Sequence, residues 1–213
     1  MNDLLISGRN ALACGEWEKA KNLLEEALEE KESAQVLEEL AWAYWWLNDA
    51  AGVFDMRIKA YNLFLAGDNK SGAARTSCWI GLDYIEFKGE FAVANGWFQR
   101  AENLLEGLPD SPELAMIKLL RARWSFQVEK NSEQAFRLID DSLRISKSLQ
   151  NTDGEMVAEA LKGFMLVVEG KVTEGMPLLD DATLLAVTSE KGDIKLTTIT
   201  CCYLIDACER IRD

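Results

Sequence analysis

The stretch Gly8 to Leu28, GRNALACGEWEKAKNLLEEAL, constrains this chain most, because its pattern keeps returning. It reads as a helix, a two-residue turn at Gly15-Glu16 and a second, amphipathic helix. In that second helix the small residues Ala20 and Ala27 stand seven apart on one face, with Leu23, Leu24 and Leu28 beside them. Small side chains at that spacing let a neighbouring helix approach closely, and the leucines fill the space between. Val53 and Ala60, Ala94 and Ala101, Ala135 and Ser142, and Gly175 and Ala182 fill the same slots further on. The turn returns at Asn48-Asp49, Gly89-Glu90, Lys130-Asn131, Gly170-Lys171 and Arg212-Asp213, so that successive turns lie 33, 41, 41, 40 and 42 residues apart. A fixed period of this size with helix–turn–helix content specifies an all-α solenoid, each hairpin contacting only its neighbours.

The spacing places a single array over residues 1–213, with units at approximately 1–32, 33–68, 69–109, 110–151 and 152–191 and a half unit at 192–213. The first helices run from about Asp3 to Cys14 and from about Trp17 to Glu30. Ser33 caps the next, which carries LEELAWAYWWL with small Ala41 at its centre and Tyr44 one turn later. Its return helix spans about Ala50 to Leu65 and stops at a left-handed Gly67. The third unit opens near Ser71, places Gly81 and Tyr84 in the same two positions and ends at Gly107. Ser111 followed by Pro112 and Glu113 starts the fourth, whose return helix begins at Asn131. Thr152 with Glu155 forms a capping box for the fifth, and its return helix, Met176 to Val187, holds Pro177 in the first turn. The sixth has one helix, from near Asp193, whose face of Ile199, Tyr203, Leu204 and Ala207 is expected to lie partly uncovered. That half-finished hairpin suggests the front part of a longer polypeptide.

Charge and composition exclude several functions. The net charge of -13 repels a phosphate backbone, so direct nucleic-acid contact by this chain is not expected. Histidine is absent, which removes the commonest general base and the commonest metal ligand. Adjacent carboxylates at Glu25-Glu26, Glu29-Glu30, Asp140-Asp141 and Asp180-Asp181 splay apart by about 100° on a helix and make a solvated face, not a catalytic dyad. The five cysteines, Cys14, Cys78, Cys201, Cys202 and Cys208, have no zinc-knuckle spacing and read as small apolar fillers of a reduced, cytoplasmic protein. The longest apolar run, Leu40 to Leu47, is far short of a membrane span. The chain is therefore expected to be no enzyme and to need no cofactor and no metal.

The repeat resembles tetratricopeptide repeats, which carry a Gly or Ala midway along the first helix, an aromatic residue three positions later and paired small residues in the second. Ala41 with Tyr44, Gly81 with Tyr84, Ala20 with Ala27, Ala94 with Ala101 and Gly163 with Ala182 match that signature. Ala11, Ser125 and Leu166 replace the aromatic, and four of the five periods exceed the usual repeat of about 34 residues. The resemblance implies a right-handed superhelix. Leu37 to Arg75, FKGEFAVANGWFQRAENLLEGLP from Phe87 and CCYLIDACERIRD from Cys201 are in addition similar to the repeat region of bacterial LuxR-type, MalT-like transcriptional regulators. In that family a repeat array accompanies a DNA-binding helix-turn-helix, and similar arrays accompany nucleotide-cyclase modules. No P-loop and no basic recognition helix occur in this sequence, so only the sensor or scaffold role carries over.

In such arrays the first helices line the concave face. That geometry nominates Arg9, Glu38, Trp42, Trp45, Trp46, Arg75, Arg123, Phe126 and Phe164 as groove residues. Trp42, Trp45 and Trp46 share one helix face, and exposed tryptophans beside arginines suit a peptide or small organic ligand. The alternative is that these rings pack on the return helix and only fill wide repeats; Trp17, Trp79, Trp97 and Trp124 are assigned to the core. The expected function is recognition of a protein or peptide partner or a small-molecule effector, with a dimer through the C-terminal helix as a further contact. A stand-alone adaptor and the regulatory region of a cyclase-type signalling protein are the alternatives.

Overall fold

Five of the six hairpin turns read from the repeat lie in the described residues, and each is made by a residue in the left-handed region: Gly15 (φ 75°), Asn48 (58°), Gly89 (65°), Lys130 (56°) and Gly170 (83°). The next N–H then reaches back into the helix it leaves. Glu16, Asp49 and Lys171 donate to the carbonyls of Ala11, Tyr44 and Leu166, each at 2.9 Å and five residues back, which is the Schellman closure. Glu90 and Asn131 reach six residues back, to Tyr84 (3.0 Å) and Ser125 (2.9 Å). The acceptor is always the residue three after the small mid-helix position, so that slot and the turn are set by one local geometry. The last expected turn involves Asp213, which lies outside the described residues.

The computed structural model describes residues 2–189 and 193–212, and all of its regular structure there is helical. The helices gather into two compact units, Met1–Gly107 and Leu108–Asp213. The division falls beside the expected boundary between the third and fourth repeats. The first unit holds α1 (Asn2–Ala13), α2 (Trp17–Glu30), α3 (Ala34–Trp46), α4 (Ala50–Ala66), α5 (Lys70–Lys88) and α6 (Phe91–Leu105). Each packs on the next, and α1 also touches α3. The second holds α7 (Pro112–Gln127), α8 (Ser132–Ser148), α9 (Thr152–Val168), α10 (Val172–Thr188) and α11 (Ile194–Arg212). There too successive helices pack in order, and α7 and α11 both reach α9.

The small slots are buried as the pattern requires. Ala20, Ala27, Val53, Ala60, Ala94, Ala101, Ala135 and Ser142 are all 0% exposed, and Ala182 is 2% exposed. Their neighbours supply the burial energy: Leu24, Phe98, Ile139 and Leu179 are all but fully enclosed and contribute about 1.5–3 kcal/mol each. In the second unit α9 and α10 cross with almost no side chain between them. A Cβ built on Gly175 would stand 2.5 Å from the Gly163 carbonyl oxygen.

Several boundaries differ from the expected ones, each for a local reason. Helix α4 continues to Ala66, so Gly67 is an ordinary C-cap (φ -87°) and Asp68 takes the left-handed turn (φ 54°). Asn151, not Thr152, caps α9, its side chain accepting from Gly154 N at 3.2 Å. Asparagine is a stronger cap than threonine, and Gln150 (φ 55°) turns the chain to present it. Helix α10 begins at Val172, which moves Pro177 from the first turn into the interior. There it leaves the Thr173 carbonyl, four residues earlier, without the N–H it would otherwise receive.

Candidate functional site

In the first unit the nominated residues are brought together, and they satisfy one another. Arg9 on α1 donates from Nε to Glu39 on α3 at 2.8 Å. Glu38, one residue earlier, accepts two bonds from Arg75 on α5, Nε to Oε1 and Nη2 to Oε2, both 2.8 Å. This bidentate fork fixes the guanidinium and holds the Glu38 side chain at 12% exposure, although Arg75 keeps 34% of its own.

One turn along α3 the tryptophans begin, and here the expected open patch closes. Trp42 is only 5% exposed. It meets Trp79 of α5 edge to face with centroids 4.7 Å apart, and Trp45 at 6.0 Å. Its ring is therefore core and not groove, because the neighbouring α5 brings an equally large ring against it. Trp45 and Trp46 remain half-buried, in T-shaped contact at 5.0 Å. Trp46 also stacks on Trp17 at 4.6 Å with the planes 8° apart. Trp17, Trp97 and Trp124, assigned to the core, are half-buried; only Trp79 is enclosed as expected. The aromatic surface that stays half-open on α3 consists of Trp45 and Trp46, with the two charge pairs one to two turns away.

Beneath Trp42 lies a pair that the groove argument missed. Arg57 of α4 is fully buried and donates from Nε to Asp83 of α5 at 2.5 Å. Its guanidinium carbon sits 4.4 Å from the Trp42 centroid and 5.8 Å from that of Trp79. Neither Nη1 nor Nη2 has a protein hydrogen-bond partner, so the ring faces carry much of what the cation receives. Burial pushes the Asp83 carboxyl above its ordinary value, against the opposing pull of Arg57. The signal was in the sequence: Arg57 falls on the same helical face as Val53, Ala60 and Phe64, the one charge in a buried stripe.

In the second unit the three nominated residues divide. Phe164 is 2% exposed, tilted against Tyr203 of α11 at 5.6 Å and covered by the Arg210 guanidinium at 5.6 Å. Phe126 packs on the same core cluster. Phe164 is therefore core, because α11 closes over α9 where an open groove was expected, whereas Phe126 stays half-buried at the cluster's margin. Arg123 donates to Gln127 at 3.1 Å and lies near the Tyr203 hydroxyl. Burial pushes the Tyr203 hydroxyl up, and Arg123 partly offsets it. The uncovered face expected on α11 is also displaced, since Tyr203 (8%) and Ala207 (0%) are buried.

The cysteines do not form one class. Cys78 is a buried filler, but Cys14 and Cys202 are exposed, and none of the five is in a disulfide. Among the described residues no group of three or more His, Cys, Asp or Glu is placed to hold a metal ion. No helix of the described residues is long and apolar enough to cross a membrane. The chain matches no model of a known protein family and no curated protein.

Proposed function

We propose that this chain is a recognition module: a right-handed superhelical solenoid of tetratricopeptide-like hairpins that binds a protein or peptide partner, or a small-molecule effector. It serves as the sensor or scaffold part of a LuxR-type transcriptional regulator in the bacterial cytoplasm, with DNA contact made by a domain outside these residues. It performs no catalysis. One observation carries the reading: the same small slots are buried, and the same turns close in left-handed geometry, from hairpin to hairpin. Within each unit such a repeat supports a scaffold whose first helices display a set of side chains. On α3 that set is Glu38, Glu39, Trp45 and Trp46, half-covered aromatic edges next to ordered charge, the chemistry of a hot spot with a polar rim.

Displayed peptides selected on the whole chain test the recognition face. Binders of roughly micromolar Kd are expected to quench tryptophan emission and to lose about tenfold or more in affinity with Trp45→Ala or Trp46→Ala. Binders indifferent to both substitutions would remove this face from the account. The regulator reading has its own test in the gene past the codon for Asp213. An in-frame basic helix-turn-helix supports it, and a stop codon there overturns it.

A further inference from the structure

Two tyrosines stand in the same slot of successive hairpins, each three residues after a small one: Tyr44 after Ala41 and Tyr84 after Gly81. Their surroundings differ. Tyr44 is served by α2, where Glu25 accepts from its hydroxyl at 2.8 Å and the Lys21 ammonium stands 5.6 Å from its ring centroid. Counted from the first small slot of each return helix, Ala20 and Val53, Phe54 takes the place of Lys21 and Ile58 the place of Glu25. The positions that give Tyr44 a cation and a carboxylate therefore give α4 two apolar side chains, and Phe54 makes a notch with Tyr84. The two ring centroids are 4.7 Å apart, with the planes at 53° to each other.

The notch holds a cation all the same. Lys88, the last residue of α5, puts its ammonium 4.2 Å from the Phe54 centroid and 4.7 Å from that of Tyr84. Among the described residues its side chain makes no ion pair and no hydrogen bond, so ring faces alone hold the charge. The walls are fixed and the occupant is not. Phe54 and Tyr84 are half-buried and follow the buried residues Val53 and Asp83, whereas Lys88 is exposed on a flexible stem. A primary ammonium carries three N–H donors that ring faces satisfy poorly, so Lys88 keeps them in water. A quaternary ammonium carries none; its methyl groups pack on the rings and its burial forfeits no hydrogen bond. A free primary ammonium would instead compete with a tethered one at an effective concentration of about a millimolar or more. We propose that the Phe54–Tyr84 notch binds the quaternary ammonium group of a small organic cation, with Lys88 as the resident occupant that the ligand displaces. Everything the notch supplies acts on the charged head, so a small carrier suffices, and the chain's net charge of -13 concentrates cations around it. The site uses neither Trp45 nor Trp46 and is independent of the peptide-binding face on α3.

Choline titrated into the full chain is expected to bind with roughly millimolar Kd, its methyl protons shifting upfield under the ring faces. Lys88→Gln should tighten that binding about tenfold by emptying the notch, with helical circular dichroism unchanged. Phe54→Leu keeps an apolar side chain but removes the ring, and in a folded chain should weaken binding about tenfold or more. The neutral carbon isostere of choline should bind about tenfold more weakly than choline to the parent chain and to Lys88→Gln alike. Trp45→Ala, which tests the α3 face, should leave choline binding unaltered, so each reading can fail alone. No choline binding, binding that Lys88→Gln leaves unchanged or weakens, or binding that the neutral isostere matches overturns the proposal whether or not Phe54→Leu folds; so does a folded Phe54→Leu chain that binds choline as the parent does.

Discussion

Arg57 and Asp83 form an ion pair 2.5 Å long with side chains 0% and 2% exposed, and two of the arginine's nitrogens rely on no protein acceptor. Both charges sit where apolar side chains would serve, so removing one strands the other. Asp83→Ala is expected to cost about 3–5 kcal/mol in urea unfolding, whereas Arg57→Met with Asp83→Leu should recover most of it. A loss below about 1 kcal/mol for Asp83→Ala would mean that the cation is held by the tryptophans alone.

The pair also sets a pH dependence. Burial raises the Asp83 pKa above the ordinary 3.8, so the folded chain holds this proton more readily than the unfolded chain. The contribution of Asp83 to stability is therefore greatest below the unfolded value and is lost as pH rises through the folded one. Asp83→Asn should abolish that downward step in stability measured across the acid range.

Two glycines should respond in opposite directions to the same methyl group. On Gly175 it would meet the Gly163 carbonyl at 2.5 Å, so Gly175→Ala should cost about 1–3 kcal/mol. Gly96 lies inside α6 with nothing within 4 Å of the position its Cβ would take. Gly96→Ala should therefore stabilise by about 0.5–1 kcal/mol. Thermal unfolding reads both effects, and a neutral Gly175→Ala would mean that α9 and α10 leave room for a methyl group where they cross.

Capping offers a similar contrast. Asn151→Ala should cost about 0.5–2 kcal/mol, and Thr152→Ala much less, because only Asn151 bonds an otherwise orphaned N–H. Equal losses would return the cap to Thr152.

Tyr44 is hydrogen-bonded to Glu25 at 2.8 Å, and desolvation followed by that carboxylate pushes its pKa up to about 12. Absorbance titration should find Tyr44 ionising late. Glu25→Gln should bring it down toward 10, the ordinary value. The stability this neutral phenol supplies is full below the ordinary value and disappears as pH rises through the raised one. Tyr44→Phe should remove that alkaline slope.

The repeat was legible because the same devices serve the described hairpins: a left-handed turn, a carbonyl five or six residues back that closes it, and buried small slots. The adjacent aspartates were legible for the same reason. Asp140 and Asp141 splay so far apart that they pair with different helices, Asp140 with Lys162 of α9 and Asp141 with Lys118 of α7. The fate of the tryptophans was not legible. Whether Trp42 is groove or core depends on Trp79, 37 residues away in sequence, and on an arginine reaching between them from a third helix. Phe164 likewise depends on Tyr203. Helical periodicity gives the direction of a side chain but not what a neighbouring helix sets against it. Asn151 does carry a sequence signal, since an Asx residue three before a glycine also opens α4 and α5, at Asp49 with Gly52 and Asn69 with Gly72.

If α3 carries the recognition face proposed above, the Glu38–Arg75 fork makes ligand capture there an exchange reaction. A ligand carboxylate that captures Arg75 strands Glu38, whose side chain keeps only 12% of its exposure and has little water to fall back on. A simple anion therefore gains one charge contact and forfeits another. On that reading a zwitterion, such as a free amino acid or a chain end beside an opposite charge, would replace both halves of the fork at once, and the face would discriminate by the ligand's internal charge separation more than by its net charge.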